Sequence, residues 1–271
     1  MPAFPTSVKK VIELTADINS NHKDLVKVIE HDPIMTFKIL KLVNSPYFGL
    51  SREISSINHS VVYMGLNTVK NLAISIASIG MLPNENEAGL NIDKFLYHSV
   101  STATLSHLLS KQLGISNKDN SDFFVTGLLH DFGKIVFSQS LPKEYKKALY
   151  LERSNPNRMI EIEKNIMGVD HTQVGMLLSK KWNLSSQLRK AIGFHHTTKS
   201  GEYPDNDVLV NIIFITNKLS KELQESENLL SFSKELVRDI KSRFGNDLDK
   251  YIEFPEDLRK EIKKALQFLN I

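Results

Sequence analysis

Cysteine is missing from the 271 residues. That excludes disulfides, thiolate metal ligands and cysteine nucleophiles together. Long apolar runs are missing too: the longest uncharged one, residues 72–82, is too short to cross a bilayer and is broken by Ser75, Ser78 and Gly80. The opening MPAFPTSVKK has no apolar core behind a basic start, so a signal peptide is not expected. An excess of one charge is also lacking. With 34 basic and 31 acidic residues the net charge is +3, too weak a field to predict nucleic-acid binding. No segment alternates apolar and polar residues in the manner of strands and hairpins, and no repeat or low-complexity tract occurs. What remains is an expected cytoplasmic, all-α chain with no membrane or direct nucleic-acid contact. Its 41% hydrophobic content suffices for one large core or two smaller ones.

The apolar spacing is helical nearly throughout. A helix is predicted from about Ser7, behind Pro5, with Val8, Val11, Ile12 and Thr15 on one face; a second carries Leu25, Val26 and Ile29. Asp32–Pro33 ends that helix and starts the third, because Asp32 can accept from free backbone N–H groups and Pro33 suits the first helical position. The third is expected to bury Ile34, Phe37 and Leu40, with Leu42–Val43, and to stop at Asn44–Ser45–Pro46. Helices over about 57–64 and 67–82 follow. The polar stretch 83–89 reads as a boundary. It divides the chain into an N-terminal helical lobe (1–86), a second helical lobe (87–225) and C-terminal helices (226–271) packed on the second. A long helix is predicted from about Ile92 to Leu113, ended by Gly114. Further helices are expected over about 121–132, 142–153, 157–167, 171–182, 185–196, 207–223, 229–243 and 256–269.

Against this background the segment GLLHDFGK (127–134) carries chemistry. The His130 imidazole offers a neutral nitrogen donor, and the Asp131 carboxylate can bridge two cations. Such a pair alone is a common coincidence, but here His98 precedes it and His171 and His195–His196 follow. His98 shares a stripe with Phe95, Thr102, Leu105 and Leu109, so it should point inward; an inward histidine by itself is more often a satisfied core residue than a ligand. His107 falls about half a turn round the same cylinder, which assigns it to surface or packing. His171 begins a helix behind Asp170 as N-cap, with Gln173 at the capping-box position and Gly175 leaving room for a close helix approach. His195 and His196 end a helix, where the dipole favours a cation or a protonated imidazole. Asn217 shares a face with Val210, Ile213 and Phe214, and a buried amide needs a partner: protein, water or metal. His22, His31 and His59 fit no ligand pattern.

Residues 92–220 resemble the HD superfamily of metal-dependent phosphohydrolases. The order His98, His130–Asp131, His171, His195–His196 and Asn217 matches the ligand series of the HD-GYP branch, enzymes that hydrolyse cyclic di-GMP at two or three metals. Lys134 matches the lysine of the HDxxK pattern, and HHTTKSGEYP (195–204) is similar to an eroded HHE…GYP region. The runs LVKVIEHDPIMTFKILKLVNSPYFGL (25–50) and INHSVVYMGLNTVKNLAIS (57–75) closely resemble the N-terminal helices of HDOD domains, the HD-related output modules of bacterial signalling proteins. The likeness covers residues 3–220 and implies a multi-helix HD-like fold with an N-terminal helical lobe.

Departures from the pattern carry as much information. Asn217 stands where an aspartate is expected, Thr197 where a glutamate is expected, and Glu202 interrupts the GYP triplet. An amide in place of a carboxylate removes a negative charge and leaves a poor ligand for a hard cation. The resemblance therefore implies one weakened metal position (His98, His130, Asp131, Asn217) and one complete position (Asp131, His171, His195, His196). The expected ion is a divalent transition metal, Fe, Mn, Ni or Zn, with at most one held well per chain. HDOD members are usually non-enzymatic and signal through contacts, so the expected function is regulatory, with an unidentified signalling protein or a nucleotide-type ligand as partner. The family usually follows a sensory or receiver domain; none is read here, which places the expected input in a separate molecule. The alternative is a metal-dependent phosphohydrolase acting on cyclic di-GMP or another phosphoester, with Asp131 bridging and Lys134 steadying a phosphate oxygen.

Overall fold

Local punctuation delimits the helices of the computed structural model, which describes residues 6–16, 22–45, 48, 50, 52–80, 86–115, 117–155, 158–198, 201–202, 204, 207–225, 233–244 and 258–269. Among these, every regular element is a helix. Five lie in the first part: α1 (Thr6–Ala16), α2 (His22–Glu30), α3 (Pro33–Val43), α4 (Ile57–Met64) and α5 (Leu66–Gly80). Asp32 caps α3 as expected, accepting from the Met35 N–H at 3.0 Å with Pro33 in the first turn. Asn44 then ties the end of α3 to the chain leading into α4, donating to the Ile54 carbonyl and accepting from the Ile54 N–H, both at 2.7 Å.

The burial of α3 differs from the expectation. Met35, Ile39, Leu42 and Val43 are buried, whereas Ile34 and Phe37 are 70% and 59% exposed. α3 is apolar on most sides, so spacing alone cannot choose its inward face. Contact with α4 and α5 makes the choice.

The second part begins with α6 (Ile92–Gln112), ended at Gly114, whose φ of +70° is the left-handed conformation that glycine accepts. Then come α7 (Asn117–Leu129), α8 (Phe132–Ser140), α9 (Pro142–Ser154), α10 (Met159–Met167), α11 (His171–Lys181), α12 (Ser186–Phe194) and α13 (Val208–Glu225). α14 (Lys234–Phe244) and α15 (Leu258–Leu269) are the last elements among the described residues. The helix expected over 121–132 in fact ends at Leu129; His130 and Asp131 form a turn, and α8 restarts with Asp131 at its N-cap position. The start of the helix expected at 229, that of the one expected at 256, and the boundary residues 83–85 lie outside the described residues.

One apolar cluster runs from Val11, Leu25 and Ile39 through Leu72 and Ile74 to Phe124, Leu129, Leu188 and Ile213, so α1–α5 share a core with the later helices. Lys70 of α5 reinforces that junction: it is 5% exposed and donates to the Asn183 carbonyl, in the turn between α11 and α12, at 2.9 Å. A second cluster joins Leu105, Phe214 and Leu219 to Leu236, Ile240, Leu258 and Ile262 of α14 and α15. His107 is buried and packs against Phe48, with ring centroids 6.1 Å apart, which makes it a packing residue and not a surface one.

Candidate metal centre

The centre is built where helices end. Gly127 lets α7 press on α6, since a Cβ there would lie 2.6 Å from the Ala103 Cα. Gly133 lets α8 press on α11 still more closely, since its Cβ would lie 2.0 Å from the His171 carbonyl oxygen. Gly175 allows the predicted close approach of α12, the obstacle being Ile192 Cγ2 at 2.8 Å. Asp170 accepts from the Thr172 and Gln173 N–H groups while Gln173 accepts from the Asp170 N–H, the capping box that starts α11 at His171. These approaches bring His98, His130, Asp131, His171, His195 and His196 together from α6, the α7–α8 turn, α11 and the end of α12.

Asp131 is the hub. Its Oδ2 accepts from Lys134 Nζ at 2.7 Å and lies 3.5 Å from the Nε2 atoms of both His98 and His130. Its Oδ1 lies 3.2 Å from His171 Nε2 and 3.4 Å from His195 Nε2. Two donor groups result: Asp131 with His171, His195 and His196, and Asp131 with His98 and His130. Within each, the ligand atoms lie within 4.8 Å of one another.

Hydrogen bonds on the far ring nitrogens fix the tautomers of His130 and His195. His130 Nδ1 and His195 Nδ1 each meet a carbonyl oxygen, of Gly127 and Ile192, at 2.7 Å. A carbonyl only accepts, so both Nδ1 atoms carry hydrogen and leave Nε2 with its lone pair. His98 Nδ1 shares a hydrogen bond with Ser220 Oγ at 2.8 Å, and that hydroxyl also reaches Thr102 Oγ1 at 2.8 Å and the Asn217 carbonyl at 3.0 Å. The Nε2 atoms of His98 and His130 lie 3.2 Å apart, so in the metal-free site an Nε2–H of His98 can donate to the His130 Nε2 lone pair, and loss of that hydrogen would free both nitrogens for a cation.

His171 is supported differently. Glu163 Oε2 accepts from its Nδ1 at 2.6 Å and from its backbone N–H at 2.8 Å, all within a fully buried environment. A carboxylate behind a ligating imidazole orients the ring and raises its basicity. Glu163 was not among the expected site residues. Its trace in the sequence is its position four after Met159, a carboxylate in the apolar phase of α10, where both are buried.

Electrostatics follow from burial. Burial would raise the Asp131 carboxyl, but Lys134 and the surrounding imidazoles outweigh it and hold the group well below the usual range. Burial keeps His98, His195 and His196 below the ordinary histidine value and brings His130 to about 3. Neutral imidazoles are the form a metal requires. His171 moves upward instead: burial lowers it, but Glu163 and Asp131 more than compensate.

The residues fit a divalent transition metal. The Nε2 atoms of His171, His195 and His196 and Asp131 Oδ1 are all buried without a hydrogen-bond partner, a cost that a shared cation would remove. Imidazole and carboxylate donors suit Fe, Mn, Ni or Zn. Asn217 lies one turn before Ser220 on α13 and is 1% exposed, with neither amide atom hydrogen-bonded. Of the eroded GYP segment, Gly201, Glu202 and Pro204 are described, and Tyr203 lies outside the described residues.

Fold and cluster together define an all-helical, HD-like module with a His/Asp centre. The chain belongs to the HDOD domain family, whose profile matches residues 1–198. An uncharacterized protein of Treponema pallidum (strain Nichols) is 26% identical over 198 residues, covering 72% of this chain and 37% of that protein. The uncharacterized protein YuxH of Bacillus subtilis (strain 168) is 26% identical over 176 residues, covering 62% of this chain and 39% of that protein. The chain thus spans about two fifths of the length of these curated relatives. Among solved structures, a candidate phosphohydrolase from Shewanella amazonensis SB2B superposes with a TM-score of 0.74 at 22% identity, covering 100% of this chain and 94% of its own. An HDOD domain protein of unknown function from Geobacter sulfurreducens gives 0.67 at 21% identity, covering 99% and 91%. At these identities the likeness establishes the fold. No helix among the described residues is long and apolar enough to cross a membrane.

Proposed function

We infer that the protein is a cytoplasmic signalling module that holds one transition metal at Asp131, His171, His195 and His196 and acts through contacts, without efficient hydrolysis. The observation that carries this reading is the contrast at Asp131: four convergent donors on one side, and on the other a pair of histidines whose expected carboxylate partner is Asn217. Hydrolysis of a phosphodiester by paired metals needs enough negative charge to hold both ions beside an anionic substrate. Thr197 and Asn217 each lack the carboxylate that the HD-GYP pattern calls for. The partner is a signalling protein or a nucleotide-type ligand, and the packed helices supply interfaces that such a ligand can bias between two arrangements. A solved fold relative from Marinobacter aquaeolei VT8, described as a candidate signal transduction protein, is in keeping with this reading.

The second reading, a metal-dependent phosphohydrolase, has one observation in its favour. Lys134 is 13% exposed and sits 2.7 Å from Asp131, where an ammonium could also meet a phosphate oxygen. A bound metal would then supply Lewis acidity and an activated water. Product formation from cyclic di-GMP, followed by chromatography under anaerobic reducing conditions with added Mn(II) or Fe(II), separates the readings. The expected outcome is negligible product. Turnover near ~1 s⁻¹, the lower end for ordinary enzymes, would overturn the signalling reading.

A further inference from the structure

The paired histidines lie at the end of α12, and the turn beyond them is held by a residue outside the family's matched segment. His195 caps α12, and the Thr197 N–H donates to the Phe194 carbonyl at 3.0 Å, closing a turn around His195 and His196. The carbonyl of Thr197 faces the other way and accepts from the Nη2 of Arg243, on α14. The same guanidinium donates through Nη1 to Asn211 Oδ1 at 2.8 Å, in the first turn of α13. It also lies over the Phe214 ring with its central carbon 3.5 Å from the centroid. Three contacts from one planar group fix its place, a geometry that a point-charged lysine cannot reproduce.

These contacts add to the packing of α12 on α13 in joining two parts of the site. One is the turn bearing His195 and His196. The other is α13, whose Asn217 is buried and whose Ser220 bonds His98 Nδ1. α14 is in turn anchored to α13 by the apolar contacts of Leu236 and Ile240, by the Lys218–Asp239 ion pair, and by Ser233, which caps α14 and also bonds Glu222. The family profile ends at residue 198, one residue after Thr197. The cross-tie is therefore a property of the C-terminal helices of this chain.

We propose that Arg243 is a positioning residue for the metal centre, setting the His195–His196 turn against α13 through the Thr197 carbonyl. The proposal rests on the metal-holding reading of the site. It gives the C-terminal helices a route to that site: whatever displaces α14 releases the turn that carries two of the four convergent donors.

The test uses Co(II) as probe with the full chain, its visible absorption reporting coordination geometry. Arg243→Met is expected to weaken Co(II) binding by about tenfold, as for loss of a supporting contact behind a ligand, and to change the band pattern. Ser233→Ala loosens the start of α14 while leaving the Arg243 contacts in place, and is expected to change the spectrum far less than Arg243→Met does. Binding within twofold of wild type and an unchanged spectrum for Arg243→Met would overturn the proposal. So would an equal spectral change in Ser233→Ala, since that would make the effect one of general loosening. Side-chain nitrogen NMR of the metal-free protein reads the same turn independently. There Arg243→Met is expected to move the His195 and His196 ring signals and leave that of His171 in place; no movement overturns the proposal even if the wild type takes up no Co(II). That last result, by itself, would instead overturn the metal-holding reading.

Discussion

The two sides of Asp131 are built from the same residue types yet differ in what stands behind them. On the Oδ1 side, His171 is backed by the Glu163 carboxylate and His195 by the Ile192 carbonyl. On the Oδ2 side, His98 is backed by the Ser220 hydroxyl, His130 by the Gly127 carbonyl, and the nearest charge is the Lys134 ammonium. One side thus has a buried anion supporting its imidazoles. The other has a cation where an anionic ligand would serve an ion better, and an amide at residue 217. A ligand count alone would rate the two positions as nearly equal. The atoms behind the ligands make them unequal, because an outer-shell anion raises basicity and a neighbouring cation opposes a second metal.

The largest change to that contrast comes from removing the anion behind His171. Glu163→Gln keeps the shape but takes away the charge that holds His171 Nδ1. Co(II) affinity measured by competition titration is expected to fall ~10- to 100-fold. An affinity within twofold of wild type would mean that the Oδ1 side does not depend on Glu163, and the asymmetry between the two sides would lose its basis.

A smaller effect is expected on the other side. Asn217→Asp adds an anionic donor to α13 and should raise affinity at the weak position by about tenfold, since ligand charge count tunes binding of a divalent ion. Mass spectrometry under native conditions should then find a second metal per chain, where the wild type holds at most one tightly. Two tightly held metals in the wild type would erase the difference between the sides. Hydrolysis need not appear in the variant, because Glu202 still interrupts the GYP triplet.

Much of the fold and of the site was legible in the sequence because it is local. The Asp32 and Asp170 caps, the Gly114 stop, the close approach at Gly175 and the inward stripe of His98 follow from spacing within a turn or two. The break at His130–Asp131 was not, because apolar spacing continues from Leu128 and Leu129 into Phe132 and Ile135 and masks the change of axis. The inward face of α3 was hidden for the related reason that Ile34 and Phe37 look as apolar as Met35 and Ile39. Glu163 left a trace, yet a charge on a helix is usually solvated, and only the contact with His171 shows otherwise. Ser220 and Arg243 left none: each acts on a residue tens of positions away, through packing that no period encodes.

The smallest effect per residue concerns acid. His130 is held down to about 3 by burial, and His98, His195 and His196 are displaced in the same direction. Below the unfolded value of about 6.5 the unfolded chain takes up protons that these folded imidazoles refuse, so their contribution to stability is present above that pH and is lost as pH falls towards 3. His171 has the opposite sign: its raised value makes its contribution largest below about 6.5 and lost as pH rises through the folded value. Four groups outweigh one, and metal-free protein should therefore weaken on acidification. His130 alone should cost about 1 kcal/mol between pH 6.5 and 5.5. Urea midpoints of chelator-treated protein at pH 7.5, 6.5 and 5.5 measure this directly, and the decline should be steeper over the lower interval than over the upper. A midpoint that stays level or rises between pH 6.5 and 5.5 would mean that these histidines accept protons in the folded state. The Oδ2 side of Asp131 would then be open enough to hydrate, and its histidines would not be the neutral donors that a metal requires.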